Sequence, residues 1–571
     1  MTSRRTDDSA GQAAAREPYV IYPARRVITV NPAFPFGEAV AVAGDRILGV
    51  GSRDELASWG AHRVDERFAG HVLMPGFVEA HCHVMSGGLW NSTYVGYFDR
   101  RDPQGRLWPG CRSIDDVLKR LGDAAAALHD ESATLLAWGL DPIYFPGERL
   151  VARHLDTVTG ARPTLVLHAS GHLATINSAL MERCGIDETA TSPGVARGGD
   201  GLPNGELHEP SGMMLAGDAF IDMMSANRTE RARWRFANEA RNAGHTLVTD
   251  LGTTQLLDPD QLGNWKQVTS DPAYPARVMV ALSNLFGAPA DLDAMAELGV
   301  RLQHEQTSKL RFGIVKLILD GSIQGFTARI SWPHYYKAPP GHIGNGLWLT
   351  APDQMADLVT AYHRAGLTVH CHCNGDEATE VFVDAVEQAL ERHPRWDHRH
   401  TVQHCQLTTP DQYRRMAALG MCANIFSNHI YYWGDQHRDV TVGPERAARM
   451  DACATALASG VSFSIHSDSP ITPLGHLHTA WCAVNRVTAS GQVLGPDERI
   501  GVGDALRAIT IEAARQLKLD ADIGSIEAGK LADFAVLEDD PLNVDPMELR
   551  DIGVWGTVLG GVPQPAGVGE A

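Results

Sequence analysis

LTVHCHCNGD, residues 367–376, reads as a buried strand that turns polar at its C-terminal end. PDQMADLVTAYHRAG (352–366) precedes it and DEATEVFVDAVEQALERH (376–393) follows, both with apolar residues at helical spacing. A near-continuous apolar strand between amphipathic helices is the unit of a parallel sheet, whose two faces are both covered. Seven further runs share its composition: VLMPGFVEAH (72–81), HTLVTDLG (245–252), ARVMVALSN (276–284), RFGIVKLILDG (311–321), HTVQHCQ (400–406), MCANIFSN (421–428) and VSFSIHSDSP (461–470). Eight such strands, most of the later gaps helical, predict an α/β fold closed as a (β/α)8 TIM barrel.

Outward from the barrel the texture changes. YVIYPARRVITV and EAVAVAGDRILGVG near the start, and GSIEAGKLADFAVLEDDPL and DIGVWGTVLGGVP near the end, alternate like short sandwich strands. They predict a composite β-sandwich domain built from both termini. The gap between residues 81 and 245 is far too long for a crossover, so it predicts a large inserted lid after strand 1. The expected organisation is a flexible arm (1–17), the N-terminal half of the β-sandwich (18–72), barrel strand 1 (73–84), the insertion (85–230), the rest of the barrel (231–519) and the C-terminal half of the β-sandwich (520–571).

Composition narrows the function. Of 571 residues, 44 % are hydrophobic and 21 % charged, which excludes wholesale disorder. Lys plus Arg number 49 against 69 Asp plus Glu, a net charge of −20 that argues against nucleic acid or anionic lipid as partner. No apolar run approaches the roughly 18 residues of a membrane span. The opening MTSRRTDDSAGQAAARE lacks the apolar core of a secretory signal, and the nine cysteines form no CxxC pair. The expectation is a cytoplasmic protein with reduced thiols, a small-molecule substrate, no nucleic-acid or membrane partner, and a homodimer as the default assembly.

Alternation along each strand places Glu79, His81 and His83, then Lys316 and Asp320, His370 and His372, His404, and finally His466 and Asp468 on the inward phase at the C-terminal strand ends. Imidazoles and a carboxylate converging there suit zinc or a similar divalent ion, one or two per chain. An HxH pair alone is weak; its conjunction with ligands on three other strands is what predicts metal. Asp250 and Asp320, at the ends of the second and fourth strands, are expected to orient ligands from behind, as is Glu79. Aromatic residues in the flanking loops, Trp332 and Tyr432 among them, suggest an apolar or aromatic substrate. GSIEAGKL (524–531) is no phosphate loop, since Leu531 stands where the hydroxyl residue is needed.

LMPGFVEAHCH (73–83), SGHLATINSAL (170–180), VKLILDGS (315–322), HCHCNGD (370–376), VQHCQL (402–407) and SDSP (467–470) together resemble the amidohydrolase superfamily of metal-dependent hydrolases, most closely amidohydrolase family 3 and its N-substituted formamide deformylase-like members. The resemblance spans nearly the whole chain. It implies that His81 and His83 hold a first metal, that His372 and His404 hold a second or complete the single site, and that Asp468 is both ligand and general base. In several superfamily members a fourth-strand lysine is carbamylated by carbon dioxide into an anionic ligand that bridges two metals, which is the expectation for Lys316, awkward as a bare ammonium in an apolar strand; an uncarboxylated Lys316 beside one metal, or a packed lysine, are the alternatives. Departures are Glu79 where Asp is usual, His466 where Gly is common, and Phe426-Ser427 in place of Gln-Pro. A bound divalent ion lowers the pKa of water from about 15.7 to about 7, giving hydroxide for attack. Asp468 would take the water proton and deliver it to the leaving nitrogen. His172, with Asn177 supporting it, is expected to bind substrate and stabilise the oxyanion. The expected reaction is hydrolysis of a C–N bond in an N-substituted amide or formamide. Deamination of an amino-substituted heterocycle, or a scaffold without catalysis, are the alternatives.

Overall fold

The structure is a computed structural model that describes residues 18–567, except 131, 146, 148, 284–288, 340–343 and the side chain of 210. The arm expected over 1–17 lies outside the described residues. Eight strands form a parallel, nearly closed barrel: β1 (Phe77–Cys82), β2 (His245–Thr253), β3 (Arg277–Leu282), β4 (Ile314–Ile318), β5 (Thr368–Cys373), β6 (Thr401–His404), β7 (Cys422–Ile425) and β8 (Ser462–Ile465). The seam between β8 and β1 is bridged just past the strand ends, where Asp468 N–H donates to the His81 carbonyl (3.1 Å) and His83 N–H to that of Ser469 (2.7 Å).

Register carries the chemistry to one rim. Lys316 of β4 pairs with His370 of β5, Ile318 with His372, and Cys373 of β5 with His404 of β6. The helices flanking β5, Pro352–Arg364 and Asp376–Arg392, bury Met355, Leu358, Val359 and Tyr362 from the first and Phe382, Val383, Val386 and Ala389 from the second. That apolar stripe is the one read from the sequence. Inside the barrel the filling is polar. Gln403 donates to His370 Nδ1 (2.9 Å) and accepts from Asn424 (2.8 Å), which in turn accepts from Ser464 (2.7 Å), a chain of pairs across neighbouring strands.

The run expected as one strand over 72–81 is two. Val72–Pro75 pairs with Tyr19–Ile28 and Phe534–Leu537, whereas Phe77–Cys82 enters the barrel. Gly76 is the joint, and a side chain there would strike Thr246 Oγ1 at 2.0 Å. Strands from both ends of the chain share one eight-stranded sheet, from Val562–Pro565 at one edge to Arg46–Gly51 at the other. A buried bidentate pair, Arg277 with Asp533 (2.6 and 3.0 Å), bolts this sheet to the foot of β3.

Between β1 and β2 the chain builds a six-stranded sheet with its own core of Trp138, Leu165, Leu167, Ile176 and Leu207. It is tied to the barrel by Tyr144 Oη donating to the Tyr432 carbonyl (2.7 Å), Trp433 Nε1 to Asp141 (2.8 Å) and Arg100 to the Pro470 carbonyl (2.6 Å). Residues 168–173 and 206–209 thereby stand over the barrel mouth. All nine cysteines are free, and among the described residues no helix is long and apolar enough to cross a membrane.

Candidate metal centre at the barrel mouth

His81 and His83 leave the end of β1 side by side, and Asp468 faces them from beyond β8. His83 Nε2 donates to Asp468 Oδ1 (3.0 Å), and the same oxygen lies 3.3 Å from His81 Nε2. Lys316 Nζ, from β4, is 3.5 Å from His81 Nε2. Bonds of 2.0–2.1 Å to a tetrahedral ion separate ligand atoms by about 3.3 Å, so these spacings fit one cation. Behind it, His81 Nδ1 donates to Gln403 Oε1 (2.7 Å), which fixes the tautomer and leaves Nε2 as a lone pair aimed at the site.

A second constellation adjoins the first. His372 Nδ1 and His404 Nε2 face each other at 3.0 Å, and on the opposite side of its ring His372 Nε2 lies 2.9 Å from Asn374 Nδ2 and 3.2 Å from the Gly321 carbonyl. His404 Nδ1 is buried without a hydrogen-bond partner, 3.9 Å from Asp468 Oδ2. One proton bridges the two facing nitrogens in the metal-free protein, and a cation in its place would take a lone pair from each ring. The donor set therefore fits one or two divalent ions. His404 and Asp468 both adopt left-handed backbone (φ 74° and 55°), strain of the kind that collects at functional positions.

Electrostatics agree with ligand roles. Burial, reinforced by the Lys316 charge, holds His81 and His372 far below the ordinary imidazole range, and burial with the neighbouring His372 does so for His404; all three keep neutral, lone-pair forms. Burial alone would raise Asp468, but the hydrogen bond and charge of His83 outweigh it and leave its carboxyl below the usual value. Burial pulls Lys316 down to about 8, against the attraction of Asp468.

The three supporting carboxylates organise backbone. Glu79 accepts from the N–H of His81 and of Ser467 (both 3.0 Å) and from Ser467 Oγ (2.5 Å), and burial raises it to about 8. Asp320 accepts from the N–H of Asn374, Gly375 and Arg329, and burial lifts it to about 7. Asp250 accepts from Val84 N–H (3.1 Å), and burial lifts it to about 6 against the pull of His83.

Over the mouth, His172 donates through Nδ1 to Glu209 Oε2 (2.8 Å); burial would lower it, but Glu209 wins and holds it above the ordinary range. His172 lines the small recess that also holds Ser170, His372, His404 and Asp468. Ser170 and Gln324 open that recess onto a cavity of about 480 Å³ bounded by Arg149, Leu173, Glu209, Phe326 and Leu347.

Two expected substrate contacts are corrected, and a third takes another role. Asn177 is spent inside the insertion, where Oδ1 caps the helix Ser178–Cys184 through Leu180 N–H (3.1 Å) and Nδ2 donates to the Arg162 carbonyl (2.8 Å). Trp332 stands 81 % exposed and lines neither recess nor cavity. Tyr432 lines a separate small hollow with Tyr97, Phe98 and Arg100, packed edge-on against Phe98 (4.8 Å), and so pins the insertion to the barrel.

The structure also brings to the site His466, which the sequence places on the inward phase without a specific role, and Glu209, which sequence reasoning misses. His466 is stacked between His81 (centroids 4.7 Å, 11°) and Phe426 (4.7 Å, 28°), with both ring nitrogens buried and unpartnered, and its inward phase in the eighth run is the available signal. Glu209 meets His172 only because Leu173 pairs with His208 across two antiparallel strands, a register with no local signature.

A family model described as "Amidohydrolase family" matches residues 69–564. The chain is 27 % identical over 525 residues to the protein LONG AFTER FAR-RED 3 of Arabidopsis thaliana, covering 90 % of this chain and 85 % of that one. It is 25 % identical over 552 residues to the N-substituted formamide deformylase of Arthrobacter pascens, covering 94 % and 96 %. Among solved structures, an uncharacterized metal-dependent hydrolase from Pyrococcus horikoshii OT3 superposes with a TM-score of 0.69 at 20 % identity, over 92 % of this chain and 99 % of that one.

Proposed function

The chain belongs to the amidohydrolase family of metal-dependent hydrolases, and from that premise we propose that it cleaves the C–N bond of an N-substituted amide or formamide. The observation that carries the reading is the meeting of His81 Nε2 (3.3 Å) and His83 Nε2 (3.0 Å) on one oxygen, Asp468 Oδ1, backed by Gln403. Zinc is the ion this nitrogen-rich set favours, held by His81, His83 and Asp468, with His372 and His404 for a second ion. When bound, such a cation polarises a carbonyl and lowers the pKa of water to about 7.

The chain's own groups do the rest. Asp468, ionised and next to the ligand pair, accepts the proton of the attacking water and returns it to the departing nitrogen. His172, kept protonated by Glu209, presents Nε2–H to the recess and neutralises charge growing on the carbonyl oxygen. The cavity takes the substituent, with Leu173, Phe326 and Leu347 against its apolar part and Arg149 and Glu209 at its polar edge. Lys316, whose lowered pKa exposes a neutral amine near neutrality, attacks carbon dioxide; an N–C bond forms, a proton leaves, and a cation becomes an anionic ligand.

The test is a panel of N-substituted formamides, acyclic amides and aminoheterocycles offered to the zinc-loaded protein. Amine release from the amides supports the proposal. Ammonia release confined to the heterocycles would replace it with deamination.

A further inference from the structure

We propose a second, structural metal site beneath the first, held by Glu79, His245 and His476. Glu79 lies in the middle of β1, His245 opens β2, and His476 opens the helix His476–Asn485 that follows β8. All three are fully buried, and one ligand atom from each lies within 4.8 Å of the others.

The hydrogen bonding leaves lone pairs turned inward. His476 Nε2 donates to the Val78 carbonyl (2.9 Å), so Nδ1 is a bare lone pair; it has no partner and sits 3.8 Å from Glu79 Oε2. The donated back edge is the pattern of a ligating imidazole. His245 packs at 4.5 Å, centroid to centroid, from His476; the Ala240 carbonyl draws on its ring without reaching hydrogen-bond geometry, and neither ring nitrogen has a partner. Glu79 accepts three hydrogen bonds, and among the described residues no lysine or arginine pairs with it. Acceptor lone pairs turned toward one another repel, and a buried polar atom without a partner forfeits the hydrogen bonds that water would give it. One divalent cation removes both penalties, and two imidazoles with one carboxylate form a set suited to zinc. Such an ion would staple β1, β2 and the chain after β8 across the seam that the backbone N–H groups of Asp468 and His83 bridge near the strand ends.

Zinc content per chain decides it, measured by mass spectrometry of the metal after loading and desalting. The His81→Ala/His83→Ala variant, with its mouth site disabled, is compared with the same variant carrying His245→Gln. Loss of one zinc equivalent on adding His245→Gln supports the proposal; equal content overturns it. If the triple variant does not fold, crystals of zinc-loaded wild-type protein measured at the zinc absorption edge decide instead. An anomalous peak among Glu79, His245 and His476 supports the site, and peaks confined to the barrel mouth overturn it.

Discussion

Two groups of histidines serve the same barrel in opposite ways. At the mouth, His81, His372, His404 and His466 present ring nitrogens to one another, and those of His466 and one of His404 have no partner. At the other end, His363, His398 and His400 use all six of theirs. His363 bonds His400 (2.8 Å) and the His393 carbonyl (2.7 Å), His398 bonds the Leu419 carbonyl (2.7 Å) and His400 N–H (3.0 Å), and His400 also takes Val369 N–H (2.9 Å). Both groups are buried and both have depressed pKa values, so neither burial nor titration separates them. Unpartnered ring nitrogens do: His404 and His466 of the mouth group have them, and His363, His398 and His400 have none.

Five experiments bear on that contrast. The largest effect is expected from dialysis against a chelator, which should abolish turnover, with zinc or manganese restoring it; activity that survives metal removal would erase the distinction between the groups. Asp468→Asn should keep most of the metal yet lower kcat by about 10²–10⁴, the usual worth of a positioned acid or base, read from kinetics and metal analysis on one preparation. His172→Ala should cost about 10² in kcat with little change in metal content, the scale of a lost oxyanion donor. His400→Phe should act through the other group. It should cost about 1–3 kcal/mol in denaturant unfolding, by stranding Val369 N–H and one His363 nitrogen, while kcat stays at the wild-type value.

The smallest effect concerns pH. His172 has a folded pKa raised by Glu209, so the stability and catalysis its charge supports are fully present below about 6.5 and fade as pH rises through the raised value. Glu209→Gln should move the alkaline fall of the rate profile to lower pH. An unmoved limb would show that another group sets it.

The barrel was legible because its strands are apolar runs with helices between them, and the meeting of His81, His83, His372, His404 and Asp468 at the mouth because alternation put them on one face. Local pattern could not see further. The apolar run at 72–81 looked continuous, yet Gly76 sends its two halves into different sheets. Asn177 looked poised for substrate because it neighbours His172 in sequence, but as the residue before a helix its side chain is worth more as a cap. Trp332 suggested an aromatic wall and instead faces solvent. Glu209 depended on a strand register that only the folded insertion creates.

The polar belt of His370, Gln403, Asn424 and Ser464 sets the orientation of His81 from below, while the cavity walls around the reacting bond are supplied largely by the insertion and the loop after β4. The residues proposed to hold the cation and those proposed to receive the substrate thus occupy separate stretches of polypeptide. On that proposal, exchanges at Leu173, Phe326 or Leu347 would retune selectivity without disturbing the cation's cradle, so that new substrates could be acquired by changing the walls alone.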